Sequence, residues 1–131
     1  MGSNISSVLA IQKRCLRFML ALRKFESCRN HFQDRCMMTV VSLYLYEVCN
    51  FVHQNKGELF SLVSDVHHHN TRRNLDIYVE SGSLYKEYLR IYNTLPSDWK
   101  AMSVSKFKKT SNTKFSSLSM YCLKEFYDYE W

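Results

Sequence analysis

The sequence predicts an all-α fold, an irregular bundle of about five to six helices with one long basic loop. Three observations lead to it. The chain has 131 residues, of which 46% are hydrophobic and 15% aromatic, enough to bury a moderate core. It contains only 3 Gly and 1 Pro, so few residues interrupt helices. Apolar residues also recur at helical spacing in several segments.

The first predicted helix begins at a serine cap, Ser6 and Ser7, and runs to about Leu22. Its apolar residues form one wide stripe that we expect to face the core: Val8, Leu9, Ile11, Cys15, Leu16, Phe18, Leu20 and Leu22. Basic residues lie mostly off this stripe, so the helix is amphipathic with a basic outer side. A short helix over 28–35, which contains Phe32, follows.

The next segment begins with an apolar lead-in over 37–41 that can also be read as a strand. We expect a helix from Val41 to Asn55, because apolar residues occur there at positions 45, 48, 49 and 52. Gly57 stands just past its last turn, as is usual at helix ends. A further short helix is predicted over 58–63.

Residues 65–83 lack sustained periodicity and are predicted to be the long basic loop. The loop would join an N-terminal helical half, 1–64, to a C-terminal helical half, 84–131, within a single domain. In the second half, Pro96 ends a helix and Ser97 caps a turn that contains Trp99. The helices predicted there cover 84–94, 105–118 and 121–127.

The charge pattern favours a polyanionic partner. Lys and Arg number 18 against 12 acids, a net charge of +6, which suits nucleic acid or an anionic surface. One basic cluster falls between residues 13 and 35, and a lysine cluster, which includes Lys100 and Lys114, follows Trp99. Phe107 and Phe115 would share one helix face, which we interpret as core. The candidate nucleic-acid-binding residues are Lys13, Arg14, Arg17, Arg72, Arg73, Lys106, Lys108 and Lys109.

Other chemistry is poorly represented. The 5 cysteines form no CxxC pair, so an intracellular setting, cytoplasmic or nuclear, is expected with most of them buried. Cys49 and His53 have a metal-ligand spacing and would need two of His67, His68 and His69, but solvated loop histidines are the simpler interpretation. No catalytic residue, metal site or cofactor is predicted. No stretch reaches the roughly 18 uncharged apolar residues of a membrane span, and no membrane partner is expected.

Several motifs, in order, resemble the region after the palm and thumb in reverse transcriptases of non-LTR retrotransposons, which include the jockey-like and LINE-like elements. They are Gln12-Lys13-Arg14, then His67 with Asn70-Thr71-Arg72, then Tyr92-Asn93-Thr94-Leu95-Pro96, then Phe107-Lys108. The resemblance covers residues 2 to about 114. It departs from the family pattern at Lys86-Glu87, where relatives often have Gly, and over 73–83, which looks shortened.

The resemblance implies an accessory part of an RNA-directed DNA polymerase. No Asp-Asp pair occurs in the chain, so the two-metal polymerase centre is not encoded and the fragment is not expected to be an enzyme. We expect it to bind template RNA or target DNA through basic helices. The alternative is a helical interaction module that packs on the missing polymerase core or self-associates, through an exposed patch made of Tyr85, Tyr88, Tyr92 and Trp99.

Overall fold

The computed structural model describes residues 3–66 and 74–131, and helices dominate both ranges. The all-α prediction is therefore confirmed. The described ranges contain no strand that pairs into a sheet, only isolated bridges between Lys56 and Phe60 and between Leu62 and Ile77. The helices are α1 (Ser3–Met19), α2 (Arg29–Asp34), α3 (Val40–Asn55), α4 (Val63–Val66), α5 (Lys86–Thr94), α6 (Ser97–Lys100), α7 (Val104–Leu118) and α8 (Leu123–Tyr127).

Most helices lie where periodicity placed them, and one does not. The predicted helix over 58–63 is wrong: after Gly57, at φ +87°, the chain turns and extends before the short α4. Backbone bonds from Val63 to Asp76 and from Tyr78 to Ser61, both 2.9 Å, hold this segment. The lead-in over 37–39 is coil, not strand. Ser97 begins α6 rather than capping it, because Pro96 occupies the cap position.

The described residues belong to two compact units. The first, which we call unit 1, combines Met1–Leu45 with Asn112–Tyr129, and unit 2 combines Tyr46–Ser111 with Glu130–Trp131. Helices α3 and α7 contribute residues to both. Each unit draws on both predicted halves of the chain, and the single-domain organisation stays a prediction.

Unit 1 buries only part of the apolar stripe of α1. Leu16 packs with Cys28 and Phe32, and Leu20 and Tyr121 cover this cluster. Leu9 is also buried. The prediction that the whole stripe faces the core is wrong, because Leu22 is only half-buried and four residues are exposed: Val8, Ile11, Cys15 and Phe18. At about 100° per residue the stripe is wider than the surface that Cys28, Phe32 and Tyr121 cover, so only one of its two edges is buried.

Side-chain caps fix the start of α3 within unit 1. The Thr39 hydroxyl accepts the backbone N–H of Ser42 at 3.1 Å, which is the standard N-cap bond, and it donates to the carbonyl of Met120. Gln12 reaches across from α1, where its amide accepts the Val40 N–H at 2.9 Å and donates to the Met38 carbonyl at 3.0 Å. The apolar lead-in therefore bends into a helix instead of pairing as a strand.

The core of unit 2 is built around His53. Its ring stacks on Phe107 with 3.9 Å between centroids and an interplanar angle of 7°. Its Nδ1 lies 2.9 Å from the Tyr92 hydroxyl, and its Nε2 lies 3.0 Å from the Met102 carbonyl. Because a carbonyl can only accept, Nε2 carries the proton and Nδ1 accepts the Tyr92 O–H. Burial, assisted by the charge of Lys56, lowers the pKa of His53 to about 4.

The prediction that most cysteines are buried is wrong. Cys28 and Cys49 are buried, whereas Cys15, Cys36 and Cys122 are exposed, and all five are free thiols. Burial raises the pKa of the Cys49 thiol far above its usual range. Of the exposed three, Cys15 lies within α1, Cys36 just past α2 and Cys122 at the N-cap of α8.

Candidate nucleic-acid interface

The lysines of α7 within unit 2 form the clearest basic surface. Lys106, Lys108 and Lys109 are exposed, whereas Phe107 between them is fully buried against His53. The buried ring fixes the rotation of the helix, so the neighbouring lysines project outward. No acid occurs anywhere in α7, and neither Lys106 nor Lys108 forms an ion pair with any residue whose side chain the structure describes. This surface carries charge that a polyanion can neutralise.

Lys108 also lines a groove of about 300 Å³ between α3 and α7 in unit 2. The groove combines a partly exposed ring, amides of two residues, a carboxylate and the lysine. Its lining residues are Tyr46, Glu47, Asn50, Phe51, Gln54, Val104 and Lys108. An unpaired base needs an aromatic or amide surface beside a cation, and this groove supplies both.

Two of the groove's side chains are held in place by their neighbours. Asn50 donates from Nδ2 to the Tyr46 carbonyl at 2.8 Å and to the Ser111 hydroxyl at 3.2 Å. Phe51 is 36% exposed and contacts Phe60 at 6.2 Å and Tyr85 at 5.8 Å between ring centroids. The ring is therefore supported from behind while part of it faces the groove.

The basic residues of α1 are less available than their sequence position suggested. The Lys13 ammonium lies over the Tyr121 ring, 4.4 Å from its centroid. Arg17 is half-buried and donates from Nη2 to the Glu26 carbonyl at 3.2 Å. Arg14 alone of the three is exposed. These residues belong to unit 1 and the α7 lysines to unit 2, so a shared surface stays a prediction, and Arg72 and Arg73 lie outside the described residues.

Two lysines of the cluster that follows Trp99 form contacts within the fold instead. Lys100 is 3% exposed, pairs with Asp76 at 2.6 Å and donates to the Asn93 carbonyl at 2.8 Å. Lys114 donates to the Tyr129 hydroxyl at 2.7 Å. Phe107 and Phe115 are fully buried, which confirms the core interpretation and excludes both rings as stacking platforms. An exposed ring that the sequence analysis did not single out is Phe51, which falls outside the apolar positions 45, 48, 49 and 52 of the predicted helix.

The Cys49 and His53 pair is not arranged for a metal. Both ring nitrogens of His53 already have protein partners, and Cys49 is fully buried. His67, His68 and His69 lie outside the described residues. Elsewhere in the described ranges, no three His, Cys, Asp or Glu side chains converge as ligands.

The predicted aromatic patch does not form as a unit. Tyr92 is fully buried and bonded to His53, and burial raises its pKa well above the usual value. Trp99 is half-buried and meets Phe107 and Trp131 edge-on. Tyr85 is exposed and Tyr88 is half-buried, and both rings contact Phe51, so only part of the predicted patch is at the surface.

Among the described residues that carry the family resemblance, two have clear structural roles, Asn93 and Gln12. Asn93 both donates to the Ile77 carbonyl and accepts the Ile77 N–H, each at 2.8 Å, like a paired strand residue. The Asn93 backbone carbonyl accepts a hydrogen bond from the Lys100 ammonium. Leu95, from the same motif, is buried. The side chains of Gln12 and Asn93 therefore satisfy backbone groups of segments distant in sequence, which gives these two motif residues a role in the fold.

No protein-family model, curated protein or solved structure matches the chain. The likeness to non-LTR reverse transcriptases therefore rests on the sequence motifs. Within the described ranges, no helix has both the length and the apolar character needed to cross a membrane.

Proposed function

We propose that the chain is a non-catalytic C-terminal fragment of a non-LTR retrotransposon reverse transcriptase that binds template RNA or target DNA. The α7 lysines and the α3–α7 groove would form the contact surface. The observation that carries the proposal is Lys108, an exposed cation whose side chain lines the same groove as the partly exposed ring of Phe51. In this proposal the protein acts inside the cell, in the cytoplasm or the nucleus.

The groove favours an unpaired strand over a duplex. Bases in a duplex are stacked on each other, whereas an unpaired base can enter a cleft and contact a ring. Stacking on an aromatic side chain contributes roughly 1–3 kcal/mol per base. The lysines would contact the phosphates beside the groove, and the amides of Asn50 and Gln54 would hydrogen-bond to base edges. The Glu47 carboxylate would accept a hydrogen bond from a base amino group, and its negative charge would disfavour a phosphate at that position.

Fluorescence anisotropy tests this with a labelled 20-nucleotide RNA and a duplex DNA of equal length across a salt series. We expect the triple variant Lys106→Ala, Lys108→Ala, Lys109→Ala to reduce the log–log salt slope for RNA by up to roughly 2, at about 0.7 per lost phosphate contact. Phe51→Leu should weaken RNA binding about tenfold and leave duplex binding unchanged, whereas Phe51→Tyr should keep the affinity.

The matched control is Lys86→Ala, Arg90→Ala, Lys124→Ala, which removes the same charge from exposed positions outside the groove. If both triple variants lose affinity equally, net charge alone explains binding and the proposed surface is wrong. An absence of RNA and DNA binding at low salt would reject the nucleic-acid function itself.

A further inference from the structure

One edge of α1 in unit 1 carries a row of apolar side chains that are exposed in the part of the chain that the structure describes. Val8 is 47% exposed, Ile11 58%, Phe18 90% and Met19 71%, and Cys15 is exposed among them. We call these five residues the α1 apolar face. Scattered apolar side chains are ordinary on protein surfaces, but a contiguous row on one helix marks an interaction site.

The geometry of the α1 apolar face suits another helix. Its residues follow helical spacing over three turns, a length of about 16 Å at 1.5 Å per residue. Ile11, Cys15, Phe18 and Met19, with Arg14 at their edge, border a shallow depression of about 640 Å³. An amphipathic helix docks into such a surface through apolar residues repeated every three or four positions. Phe18 is the natural anchor, since it is the most exposed.

Charge identifies the kind of helix. All charged residues of α1 are basic, namely Lys13, Arg14 and Arg17, and it has no acid. Arg14 borders the depression and has no ion pair with any residue whose side chain the structure describes. A second copy of α1 would bring a like charge to this position, which is unfavourable, whereas a carboxylate would be attracted.

We propose that the α1 apolar face docks an amphipathic helix of a partner protein in which acidic residues flank the apolar stripe. Phe18 and Ile11 enter the partner's apolar stripe, and Arg14 pairs with a flanking Asp or Glu. This surface is separate from the α7 lysines and the α3–α7 groove, so the inference does not rest on the nucleic-acid proposal.

Two synthetic helical peptides test the inference with the full chain. Both carry the same Leu and Ile stripe over 18 residues, and they differ only in flanking residues, which are Glu in one and Lys in the other. We expect the Glu peptide to bind at least tenfold more tightly by calorimetry. Phe18→Ser should weaken it at least tenfold, and Arg14→Glu should shift the preference to the Lys peptide. The control Leu84→Ser removes an apolar side chain from unit 2 that is 97% exposed, as Phe18 is 90% exposed, and it should leave the affinity for both peptides unchanged.

Four results would overturn the inference. Equal binding of the two peptides, or no binding of the Glu peptide, removes the charge argument. A dimer in sedimentation velocity that Phe18→Ser abolishes would show that a second copy covers the face. Co-sedimentation with vesicles of phosphatidylcholine and phosphatidylserine that Phe18→Ser abolishes would assign it to an anionic lipid surface. Because Phe18 is almost fully exposed, its substitution should leave the fold intact, which circular dichroism checks.

Discussion

Lowering the pH from 7 to 5 is expected to destabilise the fold through His53 by about 2 kcal/mol. In the folded chain this imidazole is buried between Phe107 and Tyr92, and its pKa is lowered from 6.5 to about 4. In the unfolded chain it titrates near 6.5. Below pH 6.5 the unfolded state therefore binds a proton that the folded state does not, and acid favours unfolding.

The magnitude follows from these two pKa values. Because one pKa unit corresponds to about 1.4 kcal/mol, the difference between them limits the total loss of unfolding free energy to about 3 kcal/mol. The loss begins as the pH falls through 6.5 and is complete only below about 4. At pH 5 roughly two-thirds of it is present, whereas at pH 7 almost none is. The physical cause is burial, and the nearby charge of Lys56 acts in the same direction.

Urea unfolding at pH 7 and pH 5 measures this loss as a change in midpoint at constant slope. The matched variant is His53→Gln, whose amide can still donate to the Met102 carbonyl and accept from Tyr92 but does not titrate. We expect the wild type to lose about 2 kcal/mol more than His53→Gln between the two pH values. An NMR titration should show the His53 ring neutral at pH 5.

An equal loss in both proteins would refute the reasoning, since the pH dependence would then come from other groups. A His53 resonance that titrates near 6.5 would refute it independently, because the ring would then be solvated in the folded state.

Two further changes test the internal contacts. Lys100→Met is expected to lower the free energy of unfolding in urea by about 3–5 kcal/mol, because it leaves Asp76 largely buried without its cation. The control Lys106→Met, on the exposed face of α7, should stay within about 0.5 kcal/mol of wild type. A similarly small effect of Lys100→Met would mean that the ion pair is solvated. Thr39→Ala is expected to lower the free energy of unfolding by about 1 kcal/mol, because it removes the α3 cap. Thr39→Ser should keep the cap and the stability. Equal losses in the two variants would show that the hydroxyl is not the stabilising group.

Helix placement was largely predictable because it depends on local spacing. Phe107 and Phe115 were assigned to the core from their helical spacing, and both are fully buried. The failure over 58–63 has a tertiary cause: backbone bonds to Asp76 and Tyr78, distant in sequence, favour an extended path over a helical turn.

The candidate site was harder to predict, because charge type does not give exposure. Lys100 and Lys108 both belong to the lysine cluster that follows Trp99. Lys100 is buried and pairs with Asp76, whereas Lys108 lines an open groove. Phe51 and Val52 are adjacent on α3, but only Val52 is fully buried. Motif residues such as Gln12 and Asn93 bind backbone groups that the sequence does not bring together.

The sequence by itself determined that this protein is helical and basic, because few glycines and prolines, apolar spacing and net charge are local or additive properties. Only the tertiary structure decided which edge of the wide α1 stripe is buried. Leu16 packs on Phe32 in the core, while Phe18, two positions later, stays in solvent. That choice depends on which neighbouring elements cover the helix, and apolar spacing on one helix carries no information about its neighbours.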